Sequence, residues 1–186
     1  MNGARNVASL LRLRSWSALP LAIALICGVA APGLAANGDG RPIKLAVFDF
    51  ELDDYSAGAS IAGDRDADEV QLASVSSEVR KVIEQSRRYR LVDVSSTDAL
   101  AAKDHSLRSC DGCDASIALA LGAEQSLVGV VRRITRTEYV VQFRLRDART
   151  GELLASQETD LRMGANYAWS RGATRLIKDR LLDMSR

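Results

Sequence analysis

Cys110 and Cys113 stand three residues apart in the stretch CDGCDASIALALG, residues 110–122. A c-type haem anchor needs a histidine directly after the second cysteine, and Asp114 occupies that place. A structural zinc site needs four ligands. Beyond the first 36 residues the chain offers two cysteines, one histidine (His105) and no second CxxC pair. A thioredoxin-like redox pair follows the first strand of its fold and opens a helix; here the pair is expected to follow two strands and two helices. If Cys113 lies near the start of a helix over 115–121, the helix dipole favours its thiolate, which keeps thiol–disulfide chemistry open as an alternative. The leading reading is a disulfide that pins the junction between two short helices. Closing a four-residue loop contributes only about 2 kcal/mol, enough to order a turn but not to hold a domain.

The acidic residues Asp49, Glu51, Asp53 and Asp54 follow an apolar run. On a regular strand Asp49 and Glu51 face the same side, about 7 Å apart, a spacing that suits an acid–base pair. The plainer reading is a polar strand end. Asp64, Asp66 and Asp68 are spaced like the start of a calcium loop, but Glu69 and Val75 stand where that loop needs glycine and a bidentate glutamate. Small-ligand or metal binding by this acidic stretch is a further alternative. Arg87, Arg88 and Arg90 form one basic cluster; Arg132, Arg133 and Arg136 form another, which Arg144 and Arg146 extend. Such a face can meet an acidic partner or guard a strand against edge pairing. Tyr167, Trp169 and Arg171 open the last predicted helix; the tryptophan either anchors that helix on the sheet or serves a partner. No Ser-His-Asp set or phosphate-cradling loop is visible, and one histidine leaves little room for general-base chemistry near neutral pH. No cofactor is expected.

These groups are carried by elements whose periodicity is plain. Ile43 to Leu52 reads as a buried strand, and residues 53–68 as a loop. Leu72, Val75, Val79, Val82 and Ile83 recur on one helix face. Tyr89, Leu91 and Val94 mark a second strand. Ser96 or Thr97 caps a short helix through Lys103, and Ala115 to Leu121 forms another, closed by Gly122. Gln125 to Thr135 contains a third strand. Glu138 to Asp147 alternates, with Tyr139, Val141, Phe143 and Leu145 on one side, and ELLASQETDL returns as its hairpin partner. Trp169, Ala173, Leu176, Ile177 and Leu181 line a final helix. The expected order is β-α-β-α-α-β-β-β-α: one α/β domain, a mixed sheet of about five strands flanked by helices, ending in an antiparallel meander before the last helix.

The first 36 residues have the layout of a secretory signal peptide: Arg5, Arg12 and Arg14, an apolar run, then small residues, with cleavage expected near Ala35 or Ala36. The apolar run is short of the ~20 residues a membrane span needs. Cys27 is not preceded by the small residue that lipid attachment favours. Residues 37–42 read as a tether and 43–186 as the domain, which is expected to be periplasmic without stable membrane insertion. The leader removes three basic and no acidic residues, leaving 22 basic against 24 acidic and a net charge of −2. Neither that balance nor the 5 % aromatic content suggests nucleic-acid binding.

The phrases AVFDFEL, CDGC, LGAEQSLVGVV, RDARTGELLAS and NYAWSRGATRLIKDRL together resemble a family of predicted secreted bacterial proteins with no assigned function. More distantly, GAEQSLVGVV and DARTGELLAS are similar to an envelope group that includes the TolB N-terminal domain, CsgG and LpoB. That resemblance implies an α/β domain that binds another envelope protein and performs no chemistry. Tyr167, Trp169, Arg171, Arg144 and Arg146 are then the expected partner-binding residues, Trp169 because it falls within a phrase shared with the family.

Overall fold

The computed structural model describes residues 40–56, 65–95, 106–135, 137–162 and 168–183. All belong to the compact unit Asp39–Arg186. The leader, the start of the tether, the expected helix through Lys103, Asp64, His105, Arg136 and Tyr167 lie outside the described residues.

The strands are β1 (Ile43–Val47), β2 (Glu51–Asp54), β3 (Tyr89–Val92), β4 (Gln125–Arg133), β5 (Glu138–Asp147) and β6 (Leu153–Arg162). The helices are α1 (Arg65–Gln85), α2 (Cys113–Ala120) and α3 (Ala168–Ile177), which runs on into a π-helical turn, Lys178–Leu182. One mixed sheet has the order β3-β1-β4-β5-β6, with β2 also paired to β4. β1 lies parallel to β3 and β4, so helical crossovers are required there; β4, β5 and β6 form the expected antiparallel meander. Among the described residues no helix is long and apolar enough to cross a membrane.

Helices cover both faces. On the first, Val75, Val79 and Ile83 of α1 and Trp169, Ala173 and Ile177 of α3 pack on Leu45, Leu127, Val131, Val141 and Phe143. The i, i+4, i+8 spacing on α1 gives it one buried stripe, and Asp66 and Asp68 in its first turn favour its positive end. On the second face Ala118 of α2, with Leu107 from the segment before it, packs on Ala46, Phe48, Val128 and Val130.

The reading of Ile43 to Leu52 as one strand needs correction: it is two, joined at Phe48–Phe50. From Val47 to Glu51 the chain advances four residues while its partner advances three, from Leu127 to Val130. The extra residue shifts the alternation of faces. Phe48 therefore enters the second-face cluster and Phe50 the first. Gly129 makes this possible, because a Cβ there would overlap the Phe50 ring. The displaced Phe50 N–H donates to Ser76 Oγ on α1 (2.8 Å), and Ser76 Oγ in turn donates to Leu72 O (2.8 Å).

Candidate functional site

The phase shift at Asp49 decides what the acidic residues can do. Asp49 stays on the α1 side, where Arg80 Nη2 reaches its Oδ1 at 2.8 Å and also donates to Val47 O at 2.8 Å. Glu51 goes to the opposite face. There its carboxylate accepts the Leu107 N–H (2.6 Å), the Ser106 hydroxyl (2.8 Å) and Arg108 Nη1 (2.9 Å). The two carboxylates therefore have separate partners in separate layers, which corrects the expectation that Asp49 and Glu51 face the same side. Asp53 lies between Arg108 and Arg132, at 3.6 and 3.5 Å. Asp54 returns to the first face and meets Arg133 at 2.8 Å, while the other arm of Arg133 holds Asp68 of α1 at 2.6 Å.

Arg133 is the centre of that first-face network. Its guanidinium also lies 5.7 Å from the Tyr139 ring centre and 5.8 Å from that of Trp169. Burial disfavours its charge, but Asp68 and Asp54 outweigh that and raise its pKa further above the ordinary range. Burial also pushes the Asp54 carboxyl up; the Ser56 hydroxyl and N–H, with Arg133, overcome this and hold it below its ordinary value.

Cys110 and Cys113 stand as a disulfide, with Cα atoms 5.8 Å apart. Gly112, at φ 96°, supplies the left-handed turn between them and precedes α2 directly. Cys113 is the first residue of α2, and its N–H donates to Cys110 Sγ at 2.9 Å. The next residue, Asp114, is 1 % exposed and accepts the Ser126 hydroxyl of β4 at 2.6 Å. A buried carboxylate needs such a partner. Sequence reasoning passed over this pair. Its one signal was Ser126, a polar residue inside an apolar strand.

Arg144 and Arg146 lie on the face of β5 expected to be wet, but they are not a free basic surface. Arg144 Nη2 donates to Leu107 O and Arg108 O at 3.1 and 2.9 Å. Arg146 donates to Gly151 O and Asp111 Oδ1 at 3.0 Å and stands 3.7 Å from Asp114. Together with Glu51 they strap residues 106–111 across the sheet. Carbonyls and carboxylates of the same chain thus occupy the two arginines expected to meet a partner. Trp169 takes the anchoring place of the two readings. It is 1 % exposed, with its ring centre 5.4 Å from that of Tyr139, so it anchors α3 in the core. Arg171, two residues on, is exposed.

A cleft of about 430 Å³ opens at the ends of β1 and β3, where Asp49 and Arg80 face Asp93 and Ser95. Its polar groups are bonded to one another: Ser95 gives both its hydroxyl (2.6 Å) and its N–H (2.8 Å) to Asp93 and lowers the pKa of that carboxyl. The arrangement can hold a polypeptide turn in place; none of its carboxylates is left to act alone.

No curated protein matches the chain. Among solved structures, the LpoB C-terminal domain from Salmonella enterica is 16 % identical, with a TM-score of 0.48, covering 69 % of this chain and 88 % of that one. Lipoprotein GNA1162 from Neisseria meningitidis is 15 % identical, with a TM-score of 0.43, covering 78 % and 98 %. TolB from Acinetobacter baumannii is 13 % identical, with a TM-score of 0.43, covering 76 % of this chain and 28 % of its own. Residues 43–181 match the model of one family, and the chain belongs to it: the family described as "Protein of unknown function (DUF2380)".

Proposed function

We propose that this chain is a secreted, non-catalytic envelope module that works by binding another envelope protein. In this reading residues 1–36 are removed on export, 37–42 tether, and 43–186 form the working domain in the periplasm. The observation that carries it is the use made of the reactive side chains. Asp49, Glu51, Asp53 and Asp54 each face an arginine of the same chain. Arg144 and Arg146 hold the 106–111 strap. Groups engaged in this way fix a surface and leave no acid–base pair poised over a substrate. The leader-like N-terminus supports export, and a cysteine pair at disulfide distance suits an oxidising compartment.

Cross-linking in intact envelopes, followed by denaturing capture of the tagged chain, tests the reading. A discrete adduct with one other protein is expected. Recovery of the chain alone, together with Cys110 and Cys113 trapped as free thiols in cells, would overturn it in favour of thiol–disulfide exchange.

A further inference from the structure

Among the described residues β6 ends the sheet, paired to β5 on one side only, over ten residues from Leu153 to Arg162. Long open edges invite another strand, and proteins normally blunt them with lysine, proline or brevity. The strand holds no lysine or proline, and its one arginine, Arg162, is its last residue, paired in register with Glu138; Glu158 and Asp160 on it, and Glu152 just before it, are exposed. Leu153 and Leu154 at the start of the strand are 46 % and 45 % exposed. At the far end a depression of about 190 Å³ lies among Ile134, Val140 and Leu161, with Glu138 and Asp160 beside it. An apolar floor with two carboxylates nearby suits an aliphatic stem that ends in a cation.

We propose that the open edge of β6 takes an extended, basic segment of a partner protein as an added strand, a lysine or arginine of that segment seating beside Glu138 and Asp160. The proposal rests on the binding role above and gives the partner its chemistry. Main-chain hydrogen bonds to β6 supply the attachment, and alternate side chains read its acidic face. The same charge disfavours a second copy's β6 in that place, because two acidic strands would be brought together. The opposite edge, β3, carries Arg90 and follows Arg87 and Arg88, but it is only four residues long. It spans less than half of β6.

The test uses the chain as isolated from cells and two eight-residue peptides, one alternating lysine with valine, the other glutamate with valine. The lysine peptide is expected to bind by fluorescence anisotropy, to slow amide exchange along β6, and to lose affinity in high salt. Glu158→Lys with Asp160→Lys is expected to weaken it about tenfold, since a like-charge face repels the same partner. Equal binding of both peptides, equal binding to the double variant, or protection confined to another element would overturn the proposal. So would a sedimentation-detected dimer that hides β6 amides before peptide is added, which assigns the edge to a second copy. If the lysine peptide fails to bind while in-cell cross-linking still yields an adduct, the basic-segment assignment falls and the binding role stands.

Discussion

Replacing Arg133 by methionine keeps most of the aliphatic stem and deletes the charge that joins β4 to β2 and α1. Asp54 and Asp68 would lose ion pairs of 2.8 and 2.6 Å at a site where all three side chains are only 13–17 % exposed. Removing one partner from a largely buried pair costs about 3–5 kcal/mol, because the remaining charge stays desolvated. The residual exposure here argues for the lower end, about 3 kcal/mol, to which the loss of cation–π contact with Tyr139 and Trp169 adds up to about 1 kcal/mol. For a domain of this size that is a fall in Tm of about 6–16 °C. Urea unfolding followed by tryptophan emission measures it, because Trp169 is the one tryptophan beyond residue 36 and its ring lies against the altered site. The pH dependence gives a second reading. The Asp54 pKa is depressed in the fold, so its contribution is complete above the unfolded value of about 3.9 and is lost as pH falls through the native value. The gap between wild type and Arg133→Met should therefore narrow below about pH 4. Adding Asp54→Asn and Asp68→Asn should recover part of the loss at pH 7. A loss under about 1 kcal/mol, or a gap that does not change between pH 7 and pH 3, would refute the view of Arg133 as the charge that neutralises both carboxylates.

Gly129→Ala places a Cβ into the Phe50 ring and should cost about 1–3 kcal/mol by calorimetry; a neutral result would mean that the ring moves freely and the phase shift at Asp49 does not need this glycine. Cys110→Ser with Cys113→Ser should cost about 2 kcal/mol in denaturant and leave partner cross-linking intact. Loss of cross-linking at undiminished stability would point instead to a working thiol pair. Glu51→Gln should weaken the hold on residues 106–108 and speed amide exchange at Leu107 and Arg108 at least tenfold, with little change in the α1 core; unchanged exchange would show that the arginines alone secure the strap.

Periodicity alone located much of the fold. The alternation from Tyr139 to Leu145 put the right residues in the core, and the buried stripes of α1 and α3 follow the spacing of their apolar residues. Charge pairing was not legible. Arg133 meets Asp68 from 65 positions away, and Arg144 meets Arg108 O from 36, separations that no local pattern encodes. The break in the first strand was hidden because Phe48 and Phe50, two residues apart, look like neighbours on one face; only the opposing Gly129 reveals that Phe50 has crossed over. That single shift sends Asp49 and Glu51 to different layers. Trp169 at a helix start reads first as an anchor of that helix on the sheet, and its packing against Tyr139 is of that kind.

The most direct measurement places a photoreactive amino acid at Ser156, exposed on β6, and, as a control, at Ser77, exposed on α1, in chains expressed in their own cells. Illumination should cross-link the Ser156 position to a second protein through an extended basic segment identified by mass spectrometry, with no such adduct from Ser77. Equal adducts from both positions, or none from Ser156 while the chain is folded and exported, would contradict a protein-binding module that works through its open strand.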